Sequence, residues 1–472
     1  MISAYEAVNP VPEPSRGALA DLVAAFVTHQ VGRGTEAATG PEVTPDQVVI
    51  RSAEVVRAGR PGLLSVIATV PGLPSGAQAG TGSGTQVPLG ASGTPHRTVH
   101  VVLGLRSPGD EVQFLTAADD APLGIYEDEA GLAVVFDALA DAELALALLA
   151  IVAGDQGELG RVRQLSSSIE AVSLAYDDRL ALTVFHELPE TESPDPRIEL
   201  FLGLDEAGFN HLAAPRALWR RGRTDLGIVQ EYQAGSVGGW TLALNSLRDL
   251  YVSGGSPELA GGDFAAEAEQ LGAMTARMHL ALSRAFGQRH GRVGAWASEA
   301  HALLPALPAA ATGPDDELDE AQLTELARSE AEAPAIRTHG DYHLGRVART
   351  DMGWLVQDFA PGGVPAFAIG LTAGSSGGID YRSPLADVAD MLWSLRHVAE
   401  VAAVERDPTD SHGLQQLAQA WNLRNRRAFF HGYLSTPGIE VLMPPTHELV
   451  RRLVVVFERV RATTSPLVVP AP

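Results

Sequence analysis

The 472-residue chain contains no cysteine. Disulfide frameworks, thiolate nucleophiles and cysteine-based zinc sites are therefore excluded, and a reducing compartment suits the composition. Lysine is absent too, so all 34 basic residues are arginine. Any mechanism that sets a lysine against a nucleotide phosphate is closed to this chain. Positive charge is scarce overall: 58 acidic residues leave a net charge of −24, which argues against nucleic acid or an anionic membrane as partner. No apolar run reaches the roughly 18 residues of a membrane span, and the first residues show no basic-then-apolar leader pattern. A cytoplasmic location is expected.

The length suggests two or three domains, each able to bury a core. Helical spacing of Leu19, Leu22, Val23 and Phe26 predicts a helix from Arg16 to His29. Strands are expected at Gln47–Ser52, Leu63–Val70 and Thr98–Leu105, with a Gly/Ser/Pro-rich loop from Pro71 to Pro95. The run from Val134 to Asp141 opens an Ala/Leu helix reaching Val152, for which Asp141 is a candidate cap. From Arg161 the pattern turns to strands, Arg161–Leu165, Ile169–Tyr176 and Leu180–Glu187, with a hairpin at Asp177-Asp178. Phe264 to Phe286 is the longest clear helix. Gly313 to Ala333 is acidic and poor in apolar residues, and reads as loop plus exposed helix.

The chemistry is concentrated in Thr338-His339-Gly340-Asp341-Tyr342-His343-Leu344-Gly345-Arg346, followed by Trp354-Leu355-Val356-Gln357-Asp358-Phe359. Asp341 sits on a tight turn, and Asp358 closes a short apolar strand. Between them Val347 to Val356 reads as a hairpin turning at Asp351-Met352-Gly353. Two carboxylates at facing strand ends suit phosphoryl transfer, one orienting an attacking hydroxyl and the other holding the Mg²⁺ on the ATP phosphates. A transition-metal cluster at His339, Asp341 and His343 is the alternative, though it needs further ligands from the fold.

This motif, H-G-D-x-H followed by D-F, resembles the aminoglycoside phosphotransferase-like kinases, and most of all their maltokinase and glucosamine kinase group. The resemblance runs in order along nearly the whole chain, most closely from Gln230 onward and least near the N-terminus. It implies an α+β, protein-kinase-like bilobal fold: an α/β cap over residues 1–157, a small antiparallel β N-lobe over 158–235 and a mostly helical C-lobe over 236–472. It also implies ATP and Mg²⁺ as cofactors and a sugar as substrate.

By the same resemblance Asp341 is the catalytic base and Asp358 a Mg²⁺ ligand. Thr183 stands where the family has its ATP lysine, Glu199 where that lysine has its glutamate partner, and Ser167 lies in place of a phosphate loop. A solvated glutamate at a helix start is the other reading of Glu199. Gln230 and Tyr232 lie at the adenine hinge. Trp421 and Asn425, in a helix read from Leu414 to Tyr433, border the sugar pocket together with His343 and Arg346; a packed helix with a solvated basic face is the alternative there. His339 braces the turn, and Trp240 reads as a core aromatic. Asp387 stabilises a helix start or pairs with an arginine such as Arg382. Three positions depart from the pattern: Thr183 has no charge, Arg346 replaces an amide-bearing metal ligand, and Ala360 replaces an acid. Arginine cannot ligate a cation. Two functions follow as expectations, an ATP-dependent sugar kinase of the maltokinase kind, or a catalytically impaired relative that binds nucleotide, sugar or protein.

Overall fold

The computed structural model describes residues 3–5, 10–11, 16–34, 43–71, 96–115, 122–168, 170–259, 262–303, 318–357, 359, 381–406 and 411–464. The Pro71 to Pro95 loop, Asp358 and Ala360 thus lie outside the described residues, apart from Pro71 itself. The chain forms two compact units, residues 1–198 with 214–234, and residues 199–213 with 235–472.

The first unit holds β1 (Ser3–Tyr5), α1 (Arg16–Gly34), β2 (Val49–Arg57), β3 (Gly62–Pro71), β4 (His96–Arg106), β5 (Gly124–Asp128), β6 (Gly131–Asp137) and α2 (Ala142–Ala153). The strands β2-β3-β4-β6-β5 form one antiparallel sheet. Its inner face, Leu64, Val66, Val101, Leu103 and Val135 among others, packs on Leu19, Leu22, Val23 and Phe26 of α1 in one core. Apolar residues at helical spacing met by apolar residues at strand spacing bury both faces at once. The expected helix start at Val134 needs correction. Residues 134–137 belong to β6, and α2 begins only after Asp141, whose carboxylate accepts the Glu143 and Leu144 amides. The fully buried Asp141 is also held by Arg106.

Next come β7 (Val162–Ser167), β8 (Ala171–Tyr176), β9 (Leu180–Phe185), β10 (Glu187–Leu188), then α3 (Pro196–Glu206), which spans the boundary of the units, β11 (Pro215–Arg221) and β12 (Thr224–Glu231). A second sheet runs β1-β11-β12-β9-β8-β7. At the β8–β9 turn, where Asp177, Asp178 and Arg179 join the paired Tyr176 and Leu180, both aspartates have positive φ, 47° and 52°, a left-handed conformation in which aspartate is enriched. The expected single strand Leu180–Glu187 divides: β9 stays in the second sheet, while Glu187 and Leu188 pair with β4 of the first.

The second unit contains β13 (Val237–Gly238), α4 (Gly239–Ser253), α5 (Ala265–Phe286), β14 (Arg289–Arg292), α6 (Val293–Leu303), α7 (Glu320–Ala327) and β15 (Glu332–Arg337). It continues with β16 (Val347–Thr350), β17 (Gly353–Val356), β18 (Tyr381–Arg382), α8 (Leu385–Arg406), α9 (Ser411–Leu434) and α10 (His447–Thr464). Helices dominate it, with α5 packed on α9 and α8 on both α9 and α10. The hairpin β16–β17 pairs Val347 with Val356 and Thr350 with Gly353, turning at Asp351-Met352. No described helix is long and apolar enough to cross a membrane.

Candidate active site

β15 delivers the chain into the turn that carries Asp341. Gly340 adopts φ 92° there, a left-handed conformation that glycine takes without steric cost. The turn is anchored from α8. The His339 amide donates to Asp387 Oδ2 at 2.8 Å and the Gly340 amide to Asp387 Oδ1 at 3.0 Å. Asp387 therefore serves the turn rather than its own helix start. Burial opposes its ionised form, but bonds from His279 and the Gly340 amide hold its carboxyl below the usual range. His339, fully buried, lies against Phe359 and Tyr342, with ring centroids 4.9 and 5.1 Å away. The Tyr342 hydroxyl meets Thr275 Oγ1 at 3.0 Å, and the Leu344 amide donates to Ser394 Oγ at 3.1 Å. Backbone and side-chain bonds to α5 and α8 thus leave the turn little freedom.

Asp341 is 7% exposed and surrounded by cationic donors. Arg461 Nη2 of α10 donates to Oδ1 at 2.7 Å, and Arg346 Nη2 to Oδ2 at 3.0 Å. His343 Nε2 lies 3.4 Å from Oδ2. Because His343 Nδ1 accepts the Gly345 amide, the ring proton resides on Nε2 and faces the carboxylate. Burial works against ionisation, yet the His343 bond and the charges of Arg461 and Arg346 hold the Asp341 carboxyl far below the usual range. Ionised, it still offers lone pairs to a further donor, since a carboxylate has about four acceptor sites.

A second acid stands behind it. Asp390 Oδ2 is 3.9 Å from Arg461 Nη1, while its buried Oδ1 has no hydrogen-bond partner among the described residues. Burial, with the Asp387 and Asp341 charges adding, pushes its carboxyl well above the usual range against the pull of Arg461. The Arg461 guanidinium also lies 5.1 Å from the Trp393 ring centre. Trp393 stacks on His397 at 4.7 Å, and His397 meets Trp240 at 5.6 Å.

The other residues singled out by sequence divide sharply. His343 and Arg346 flank Asp341 with side chains 27% and 30% exposed. His339 and His343 do not form a metal cluster with Asp341: His339 is enclosed between aromatic rings, and among the described residues no group of three His, Cys, Asp or Glu side chains is placed to hold an ion. Trp421 and Asn425 are both buried. Trp421 is 1% exposed, stacks on Phe264 and donates to Ser246 Oγ, while Asn425 is fully buried and donates to the Trp421 carbonyl. Trp240 is only partly buried. Glu199 is neither unpartnered nor merely solvated, for Arg337 Nη1 donates to it at 3.2 Å.

In the first unit Thr183 Oγ1 lies 2.8 Å from Ser173 Oγ, its directly opposed neighbour on β8. Ser167 is exposed at the end of β7. Gln230 pairs with Ala181, and the Tyr232 amide donates to the Arg179 carbonyl. Arg163 bonds Asp178 and the Tyr232 hydroxyl.

Arg461, Asp390 and Trp393 were not singled out from the sequence. A signal for Arg461 exists: Leu453, Phe457 and Arg461 recur at i, i+4, i+8, so an arginine continues an apolar stripe of α10. Asp390 follows Asp387 by three residues in the otherwise apolar first turns of α8, which puts two acids on one buried face.

No protein-family model matches the chain. Over 261 residues it is 29% identical to a glucosamine kinase of Streptacidiphilus jiangxiensis, a match covering 52% of this chain and 56% of that protein. The chain thus spans about half the length of the curated relative. A solved glucosamine kinase in complex with glucosamine, ADP and inorganic phosphate superposes with a TM-score of 0.54 at 19% identity, over 95% of this chain and 92% of the other. A glucosamine kinase in another crystal form gives the same values. At that identity the two structures show a shared fold, the protein-kinase-like one implied by the sequence motif.

Proposed function

We propose that this chain, a homologue of glucosamine kinase with the protein-kinase-like fold, transfers the γ-phosphate of ATP to a hydroxyl of a sugar. The observation that carries the reading is Asp341: an ionised carboxylate on a turn whose backbone is pinned from behind, with partly exposed polar groups beside it. Homology to a sugar kinase over half the chain supports the same conclusion.

In this reading Asp341 accepts the hydrogen bond of the acceptor hydroxyl and directs its oxygen at the phosphorus. A carboxylate of such low proton affinity is a weak base. That is tolerable because phosphoryl transfer passes through a loose transition state in which positioning and charge stabilisation outweigh early proton removal. Arg346 and His343, the exposed neighbours, are the groups that reach the acceptor or the transferring phosphoryl group. Arginine suits that role, since its fork matches phosphate oxygens. Mg²⁺ is assigned to Asp358 on sequence alone; the described residues around Asp341 do not fit a cation, because both carboxylate oxygens already face guanidinium groups. The acceptor is a sugar of the maltose or glucosamine kind. ATP is the donor, supported by the ADP held in the structural relative.

One observation favours the second reading, an impaired binder. The Thr183 hydroxyl is tied to Ser173 where a charge on the ATP phosphates is expected. Calorimetry with ATP·Mg²⁺, run beside a sugar panel assayed for phosphate transfer, separates the two. Asp341→Asn should keep nucleotide affinity and lose turnover by roughly 10²–10⁴-fold, whereas Asp358→Ala should lose metal-dependent binding. An absence of ATP binding at millimolar concentration in the parent protein would refute the kinase reading and leave a sugar- or protein-binding role.

A further inference from the structure

The anchor of the catalytic turn does not end at Asp387. Helices α5 and α9 cross backbone to backbone, because a Cβ at Gly272 would strike the Phe429 carbonyl and one at Gly432 would strike the Glu269 carbonyl. Only glycine at these two positions permits so close an approach. The crossing brings Tyr433, next to Gly432, against His279, which lies two turns along α5 from Gly272. The Tyr433 hydroxyl is 2.9 Å from His279 Nδ1, and His279 Nε2 is 3.1 Å from Asp387 Oδ2. From Asp387 the bonds pass to the His339 and Gly340 amides. Tyr433, His279 and His339 are fully buried and Asp387 is 1% exposed, so bulk water does not compete for any of these bonds.

For a neutral His279 ring the donors and acceptors have one consistent assignment. An ionised carboxylate only accepts, so His279 Nε2 must carry the proton that faces Asp387. In the neutral ring Nδ1 is then an acceptor, and it takes the Tyr433 hydroxyl proton. Tyr433 thereby selects the tautomer of His279, and His279 fixes the orientation of Asp387, much as second-layer partners orient metal-bound histidines. The turn needs such support, since it passes through a left-handed glycine immediately before Asp341 and that carboxylate is drawn towards two arginines.

We infer that His279 and Tyr433 are positioning residues of the reaction, acting through Asp387 to hold the backbone from which Asp341 projects. Neither can touch substrate, since both are buried behind the turn. The kinetic consequence rests on the phosphotransfer reading proposed above, whereas the anchoring does not.

The test uses the full-length chain as Tyr433→Phe, His279→Leu and His279→Gln, with amide hydrogen exchange over residues 338–344 and initial rates in ATP and sugar. Tyr433→Phe should speed exchange at His339 and Gly340 by about tenfold. It should also lower kcat by about tenfold to a hundredfold, with KM for both substrates within about twofold. His279→Leu should have the larger effect. His279→Gln should recover part of both losses, because its amide can still donate to Asp387. Rates that fall only with the folded fraction, or exchange at these two amides unchanged in both Tyr433→Phe and His279→Leu, would overturn the inference. If the parent chain transfers phosphate to no sugar, the phosphotransfer reading fails, and the exchange result alone decides whether His279 and Tyr433 hold the turn.

Discussion

Arg461 stands between two acids, and the structure predicts which of them it serves. Its Nη2 bonds Asp341 at 2.7 Å, and its Nη1 approaches Asp390 only to 3.9 Å. Removing one member of a buried ion pair costs about 3–5 kcal/mol, because the other charge is left desolvated. Asp341 keeps Arg346 and His343, so Arg461→Met should fall at the lower end, about 3 kcal/mol. Asp390 is displaced upward by burial and by the neighbouring Asp387 and Asp341 carboxylates, which favours its protonated form. Asp390→Asn then replaces one neutral group by another of the same shape and should cost about 1 kcal/mol or less. The assay is urea unfolding of the parent and both variants at pH 7, read by circular dichroism. If Asp390→Asn costs as much as Arg461→Met, Asp390 is ionised and the reading of Arg461 as the partner of Asp341 fails.

Two further outcomes are expected. His100 is buried, with Nδ1 on the Phe185 carbonyl and Nε2 on Ser65 Oγ, and burial lowers its pKa to about 3. Between about pH 6.5 and 3 the unfolded chain therefore binds the extra proton, so stability should fall as acid is added, by up to about 1.4 kcal/mol per pH unit below the unfolded value. His100→Gln should flatten the melting profile between pH 7 and 5; an unchanged slope would refute this. Trp421→Ala should cost about 3–5 kcal/mol through its lost packing on Phe264, with KM for sugar unaltered in the folded fraction. A raised sugar KM at parental stability would instead return Trp421 to the acceptor site.

What the sequence determined by itself is mostly local. The Asp177-Asp178 hairpin, the Asp351-Met352 turn, the helix Phe264 to Phe286 and the turn bearing Asp341 depend on short-range backbone preference and periodicity, which neighbouring residues carry in full. The kinase-like fold was legible through the H-G-D-x-H motif, because that spacing marks the order of elements around one turn. The division of Leu180–Glu187 between two sheets was not legible, since continuous apolar alternation does not say which edge each half will pair with.

The fate of individual side chains was decided by tertiary structure. Trp421 and Asn425 have the residue types of a sugar site, and Trp393 has the same aromatic character as Trp421. Only packing distinguishes a tryptophan stacked on Phe264 from one beside the arginine that holds Asp341. Arg461 and Asp341 are 120 residues apart, and Tyr433, His279 and Asp387 come from three helices. A charge or hydrogen bond made across such separations depends on helix crossings such as that at Gly272 and Gly432, where backbone contact sets the distance. A single sequence records the glycines and the charged residues, but the folded core determines which of them meet.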